Sequence, residues 1–385
     1  AASPAQGIHE GIAVFDFQAL YPSIVITHNV SPETVDCLCC PEPEKRPNAV
    51  PGSEHFFCAR HRGFVTSVIE GLVAKRMALK KQLAALDPAS AAHRQAQNRQ
   101  YALKILANAS YGYYGYAGSR WYSRVCAESI TAFGRDYIQK VIAFAGKSGL
   151  RVLYGDTDSL FVQMDSTAIT GFLDQVNAAL PGVMELEYKE YYKSGIFTVT
   201  KEGAAAKKRY ALLDFANRIV IRGFERVRRD WSVVAKQLQE EILLAVLRDK
   251  SVPRAVSLAR EAIARLRSGS VPLEDLVIHT QLTKPLSAYK QVGPHVVAAQ
   301  KLAKAGRPVY EGMTVSYVIA KGAGSIASRA EPLEQAQSYD PDYYVNNQVV
   351  PVALRVLSGL GVTEEQLTGG GQRTLGGFAK RKRRK

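Results

Sequence analysis

Three carboxylates stand where phosphoryl-transfer chemistry would want them. Asp16 closes an apolar run, Ile12-Ala13-Val14-Phe15, while Asp156 and Asp158 lie two residues apart in Gly155-Asp156-Thr157-Asp158. Joining a hydroxyl to the α-phosphate of a nucleotide builds negative charge on both sides of the phosphorus. Two divalent cations about 4 Å apart relieve that charge at the attacking and the leaving oxygen. Magnesium takes oxygen ligands, typically one or two carboxylates together with substrate phosphates. The two-residue spacing puts Asp156 and Asp158 on one side of a hairpin turn. If the strands are neighbours, Asp16 and Asp158 converge on one metal pair. Taken alone, Gly-Asp-x-Asp is ordinary turn chemistry.

Cations lie between these acids in the chain. Arg76 and Lys80 are four residues apart on one helical face, and Lys104, Asn108 and Tyr111 stand at i, i+4 and i+7 of a second helix. Two antiparallel helices would aim Arg76, Lys80 and Lys104 at a common triphosphate, with Tyr111-Gly112 as a flat surface near a base pair. From spacing alone, a pair of solvated amphipathic helices with scattered cations explains the same pattern.

The elements that must position these groups follow from periodicity and breakers. Residues 11–27 read as a strand, a sharp break at Tyr21-Pro22-Ser23, and the start of a helix. Residues 31–62 are rich in Pro, Cys and Gly and read as a loop or small insertion. Val65, Val68, Ile69, Leu72 and Val73 predict a helix from Phe64 to Leu86, which Asp87-Pro88 ends. A second helix is predicted from Ala89 to Tyr111, antiparallel to the first because the break is short. A third covers 124–146 and leads into apolar strand, Gly/Asp turn and apolar strand at 152–162. A strand pair is predicted near 196–221, helix from after Trp231 to 268, and mixed structure to 357. Gly369-Gly370-Gly371 marks a flexible linker before the tail.

Composition points to a polyanionic partner. Lys and Arg number 50 against 35 Asp and Glu, a net charge of +15, of which six charges come from the terminal run Lys380 to Lys385. Such a surplus favours nucleic acid over an anionic membrane. No apolar run is long enough to span a bilayer. Four of the five cysteines cluster at Cys37, Cys39, Cys40 and Cys58, with His55 and His61 nearby in sequence. They could hold zinc, or Cys39 or Cys40 could pair with Cys58, or all could be loop thiols, because the spacing matches no regular pair of knuckles.

With these residues in place, the chain resembles the family B DNA polymerases. Asp16-Phe17-Gln18-Ala19-Leu20-Tyr21-Pro22-Ser23-Ile24 is similar to motif A, DxxSLYPSI. Lys104 to Gly112 resembles motif B, KxxxNSxYG, and Tyr154 to Ser159 is motif C, YGDTDS. The motifs come in family order. Lys207-Lys208-Arg209-Tyr210 looks like the KKRY element, and Arg222-Gly223-Phe224-Glu225 through Trp231 looks like the lead into the thumb. Lys284-Pro285-Leu286, Tyr289-Lys290, Pro294-His295-Val296 and Tyr339-Asp340 to Gln348 resemble thumb signatures. The likeness spans essentially the whole chain and is closest to the archaeal type.

The resemblance implies an α+β, right-hand architecture. Palm would be 1–63 and 113–231, helical-hairpin fingers 64–112, a mostly helical thumb 232–367, and a tail 368–385. It implies DNA-templated synthesis from dNTPs on primer–template DNA with two Mg2+ ions, Mn2+ substituting. Asp16, Asp158 and the Phe17 carbonyl would hold the metals, with Asp156 as a supporting carboxylate. Arg76, Lys80, Lys104 and Asn108 would grip the triphosphate, Tyr21 would exclude ribonucleotides, and Tyr111 would bracket the nascent pair. Lys207, Lys208, Arg209, Tyr210, Gly112 and Lys284 would touch DNA. Ala19 and Ala109 depart from the Ser that the family usually carries, which bears on geometry and fidelity. Ser123 replaces a Cys with which, in some thermophilic relatives, the counterpart of Cys126 pairs.

The chain begins about fifteen residues ahead of motif A, without Met. It is therefore expected to lack the proofreading exonuclease, which was either cut away or belongs to a separate amino-terminal polypeptide. Gln372, Leu375 and Phe378 fit Q-x-x-L-x-x-F, a sliding-clamp-binding peptide. The expected location is cytoplasmic and nucleoid-associated. The rival reading is a catalytically inactive subunit that keeps the fold and binds DNA and the clamp; a second rival is RNA-directed or RNA-making activity, against which Tyr21 speaks.

Overall fold

The computed structural model describes residues 2–40, 48–199 and 205–369. The chain divides into two compact units. One comprises the residues up to Ala5 with Gly11–Tyr191, the other Gln6–Glu10 with the described residues from Tyr192 onward. Helices are mixed with antiparallel sheet throughout, an α+β arrangement.

Strand β1 (Gly7–Phe17) belongs to the first unit from Gly11 onward; there it carries the first apolar run and buries Ile12, Ala13, Phe15 and Phe17. Helix α1 (Leu20–His28) begins three residues later. The chain reverses at Gln18-Ala19, where Ala19 adopts φ 47° and ψ 52°, so the break lies ahead of Tyr21-Pro22-Ser23 and not on it. Pro22 sits in the first turn of α1, where its missing N–H has no intrahelical partner to lose.

Helices α2 (Phe64–Ala84) and α3 (Ala91–Gly115) form the expected hairpin. The Ser90 hydroxyl caps α3 by accepting from the His93 amide at 3.0 Å. Arg76 Nε donates across the hairpin to Gln100 Oε1 at 3.4 Å. Few residues of either helix are buried, so the hairpin is mostly solvated. Helix α4 (Arg124–Lys147) is capped by the Ser123 hydroxyl, which accepts from the Cys126 amide at 3.2 Å.

Strands β2 (Arg151–Gly155) and β3 (Ser159–Gln163) form the hairpin that bears the acidic turn. β3 pairs antiparallel with β1, with Phe15 opposite Leu160 and Asp16 opposite Ser159. α4 and α5 (Ile169–Ala179) pack with this sheet through Phe133, Ile138, Val141 and Phe172, the last 5.1 Å from the Phe15 ring. Each fully buried side chain of that size contributes about 1.5–3 kcal/mol. Strand β4 (Leu186–Val199) starts in this unit and continues into the other.

In the second unit β4 pairs with β5 (Ala205–Leu213), and β5 with β6 (Ile219–Arg222), all antiparallel. The predicted pair near 196–221 is therefore three strands, and β4 begins ten residues early. Its start, Leu186-Glu187-Tyr188-Lys189-Glu190, carries three charges, which mask the strand alternation. The helical stretch expected to 268 consists of two helices, α6 (Val233–Leu247) and α7 (Val252–Arg267). Lys250 with φ 51° turns the chain, and the Ser251 hydroxyl starts α7 by accepting from Arg254 N at 3.2 Å.

Beyond α7 come β7 (Ile278–Gln281), α8 (Pro294–Lys304), β8 (Thr314–Ile319), β9 (Ala330–Pro332), α9 (Pro341–Tyr344), α10 (Val350–Leu357) and α11 (Glu364–Thr368). β7, β8 and β9 make an antiparallel three-stranded sheet. The Tyr339-to-Gln348 signature is structural here. The Tyr339 hydroxyl donates to Leu266 O at 2.9 Å, Asp340 pairs with Arg329, and buried Gln348 accepts from the Ser232 amide at 3.0 Å.

Candidate active site

The end of β1 and the β2–β3 turn bring Asp16 and Asp158 to one place. Ser159 lies opposite Asp16 in register and directly follows Asp158. Its hydroxyl reaches Asp16 Oδ1 at 2.9 Å and Asp158 Oδ1 at 3.4 Å, so the two carboxylates share a neighbour one hydroxyl wide. The Phe17 amide donates to Asp158 O at 2.9 Å and locks the turn against β1.

Burial, and then the charge of Asp158, raise the pKa of Asp16 above its ordinary value; the Ser159 hydrogen bond and Lys189 pull the other way. A like charge this close disfavours ionisation of Asp16. Positive charge beside Asp16 is therefore favourable, and Lys189 supplies part of it.

A cleft of about 410 Å³ opens over these acids. Its walls are Asp16 to Pro22 from the β1–α1 corner, Arg76 and Lys80 from α2, Lys104 and Asn108 from α3, Thr157 and Asp158 from the turn, and Glu187 and Lys189 from β4. The helical spacing that puts Arg76 with Lys80, and Lys104 with Asn108, thus delivers all four to one cavity. The first turn of α1 also faces it, adding a helix N-terminus, whose amides and dipole favour anions.

Tyr21 lines the cleft with Tyr111 behind it, ring centroids 4.7 Å apart and tilted by 47°. Burial first, then Tyr111 and Asp158, raise the Tyr21 pKa, so its hydroxyl stays neutral. Tyr111 and Asp156 are not among the cleft-lining residues. The Asp156 amide donates to Ser159 O at 3.0 Å, closing the turn, and its carboxylate is 3.5 Å from the Thr157 hydroxyl. Gly112 lies on α3, which continues through Tyr111-Gly112 to Gly115.

Two cleft residues, Glu187 and Lys189, lie outside every motif, and Gln18 of motif A joins them. Lys189 Nζ pairs with Glu187 and lies 3.9 Å from Asp16 Oδ2, while Gln18 Nε2 donates to Glu187 Oε1. Burial raises the Glu187 pKa, but Lys189 and Gln18 overcome it and leave the carboxyl below its ordinary value. The available signal was period-two alternation, since residues 187 and 189 share one face of a strand.

In the second unit Lys207, Lys208, Arg209 and Tyr210 lie on β5, with Tyr210 opposite Arg222. Lys207, Lys208 and Lys284 are exposed. Arg209 Nε donates to Gly223 O at 3.3 Å. Gln372, Leu375 and Phe378 lie outside the described residues. Among the described residues, no helix is long and apolar enough to cross a membrane.

Comparison with known proteins adds a family. The profile described as DNA polymerase family B matches residues 2–360. The chain is 42% identical over 377 residues to a DNA polymerase of Thermococcus gorgonarius, covering 94% of this chain and 47% of that one. It is 40% identical over 381 residues to DNA polymerase 2 of Aeropyrum pernix, covering 98% and 46%. The solved family B DNA polymerase from the hyperthermophilic archaeon Pyrobaculum calidifontis superimposes with TM-score 0.72 at 38% identity, over 94% of this chain and 47% of that chain. The chain spans about half the length of the relatives it matches.

Proposed function

We propose, from the premise that this chain belongs to DNA polymerase family B, that it extends the 3′-hydroxyl of a DNA primer by template-directed transfer from dNTPs. One observation carries the reading: Asp16 and Asp158 meet at the Ser159 hydroxyl in a cleft that Arg76, Lys80, Lys104 and Asn108 also line.

The donor set fits hard divalent cations. Asp16, Asp158 and the Phe17 carbonyl offer only oxygen, which suits Mg2+ and admits Mn2+. Burial and mutual repulsion make ionised Asp16 costly until a cation faces it. When bound, the ions supply charge stabilisation at the attacking and leaving oxygens. Asp156 supports the turn from behind.

The remaining work belongs to the chain's own side chains. Arg76, Lys80 and Lys104 hold the triphosphate by charge, Asn108 by hydrogen bonding, and the first turn of α1 by its amides. Tyr21, braced by Tyr111, stands where a 2′-hydroxyl would collide, so deoxynucleotides fit and ribonucleotides do not. Tyr111 and Gly112 flank the nascent pair. Lys207, Lys208, Arg209, Tyr210 and Lys284 contact the primer–template largely through phosphates, and hence in a salt-dependent way. In this reading 1–63 and 113–231 form the palm, 64–112 the fingers and 232–367 the thumb. By motif alone, Gln372, Leu375 and Phe378 add a sliding clamp as partner.

Primer extension tests the reading. The chain should elongate a labelled primer in Mg2+, and Asp158→Asn should lower the rate by about 10³-fold or more, matching the loss of several kcal/mol of charge stabilisation. A wild-type chain that binds primer–template yet extends nothing, alone or with a separate exonuclease-bearing polypeptide added, would leave the inactive-subunit reading in its place.

A further inference from the structure

We infer that Cys37, Cys39, Cys40 and Cys58 form a structural zinc site that fixes the connection between α1 and α2. It stands independently of the polymerase reading.

All four sulfurs lie within 4.8 Å of one another, and Cys39 Sγ is 3.4 Å from both Cys37 Sγ and Cys58 Sγ. A tetrahedral zinc with Zn–S bonds near 2.3 Å separates its sulfurs by roughly 3.8 Å, so small shifts convert this cluster into a closed four-thiolate site. A disulfide would bring two sulfurs together and has no use for the other two at the same point. Here four converge.

The irregular Cys37-x-Cys39-Cys40 spacing hides this in the sequence, and the backbone explains it. Isolated bridges pair Val35 with Phe57 and Ala49 with Phe56. Cys58 N donates to Thr34 O at 2.8 Å, and Asp36 N to Phe56 O at 3.0 Å. These bonds fold Cys58 back onto the 37–40 turn. Asp36 has φ 47°, and its carboxylate accepts from the Phe56 amide at 3.1 Å and pairs with His55 Nδ1 at 2.7 Å. His55 is thus engaged elsewhere. The His61 amide donates to Cys58 Sγ at 3.3 Å, the kind of outer-sphere bond that orients and stabilises a metal-bound thiolate.

The site sits on a hub. Asn29, at the end of α1, donates from Nδ2 to Cys58 O and His61 O, both at 2.7 Å, and accepts at Oδ1 from the Gly63 amide at 2.8 Å. Gly63 precedes α2 and packs so closely that a Cβ there would lie 2.4 Å from Ser31 Cβ. Zinc at the cysteines therefore anchors the segment that sets the direction of α2, the helix bearing Arg76 and Lys80. Binding is not a redox step: the four thiols lose protons to solvent and become thiolate ligands.

Metal analysis of the full chain tests this. After dialysis against a chelating resin, one zinc per chain should remain, released together with the reactivity of four thiols when an organomercurial is added. Exchange for Co2+ should give the visible d–d and sulfur-to-cobalt bands of tetrahedral tetrathiolate. Cys58→Ser should lose the metal, whereas Cys126→Ser, outside the cluster, should keep it. Because Cys58→Ser can also unfold the loop, Cys37→His is the decisive variant. It should retain one metal with the Co2+ bands shifted toward those of three thiolates and one imidazole. A wild-type chain without zinc that takes up no Co2+ overturns the proposal, whether its thiols are free or its intact mass shows disulfides. A Co2+ spectrum unchanged by Cys37→His overturns it equally.

Discussion

At the scale of single residues, the cost of the site is concentrated on Asp16. Its carboxyl is partly buried beside another carboxylate, which raises its pKa. In the metal-free chain the folded state holds that proton more tightly than the unfolded state does. This group's contribution to stability therefore grows as pH falls through its shifted value and is absent above it. Asp16→Asn removes the penalty, so the variant should melt at a higher temperature than wild type without divalent cations, while primer extension disappears. The ionised form needed for metal binding persists only above the raised pKa. The acid limb of the extension rate should accordingly move to lower pH as Mg2+ is increased, because the cation favours the ionised carboxylate. Tyr21→Ala opens the wall against a 2′-hydroxyl, and competition assays should show ribonucleotide incorporation rising by at least about tenfold, the equivalent of 1.4 kcal/mol of discrimination. That Asp16, Asp158, Arg76, Lys80, Lys104 and Asn108 would share one cleft was legible through the motif resemblance; spacing alone left solvated helices and an ordinary turn open. Glu187 and Lys189 were not. Their strand begins in a stretch so charged that it reads as surface; β4 is the sheet neighbour of β1, and the Gln18 amide donates to Glu185 O at 2.8 Å just past the end of β1.

At the scale of elements, two positions hold more than their own helix or strand. His28, in the last turn of α1, stacks on Phe133 with ring centroids 3.8 Å apart and bonds the Tyr137 hydroxyl at 2.6 Å. Burial lowers its pKa from 6.5 to about 4. A folded histidine that resists protonation loses stability to the unfolded chain as pH falls below 6.5, the loss being complete near 4. At most about 3 kcal/mol is at stake, visible as a declining urea midpoint, and His28→Phe should flatten that decline. Gly223 has φ 68°, and a Cβ there would stand 2.0 Å from Lys208 O, a backbone atom that cannot step aside. Gly223→Ala should cost about 3 kcal/mol or more, read from denaturant unfolding, through overpacking and left-handed strain together. The helical hairpin was legible because Asp87-Pro88 separates two periodic runs. The break between α6 and α7 was not, because it turns on Lys250 in a left-handed conformation, for which lysine gives no signal.

At the scale of the whole chain, the order of motifs along the sequence, and not any one of them, carries the family, and the match over residues 2–360 agrees. Composition suggested a polyanionic partner and said nothing about architecture. The three-stranded sheet β7-β8-β9 shows why: its strands are four, six and three residues long, too short for alternation to stand out. The acids far apart in sequence matter only because β1 and β3 pair in the register that sets Asp16 opposite Ser159. Counting bound Mn2+ by electron paramagnetic resonance, on the chain with primer–template and a non-hydrolysable dNTP, interrogates that juxtaposition directly. Two ions close enough to couple magnetically should bind the wild-type chain, and the coupled pair should vanish in Asp16→Asn and in Asp158→Asn alike. Equal Mn2+ binding with the same coupling in either variant would contradict the shared site.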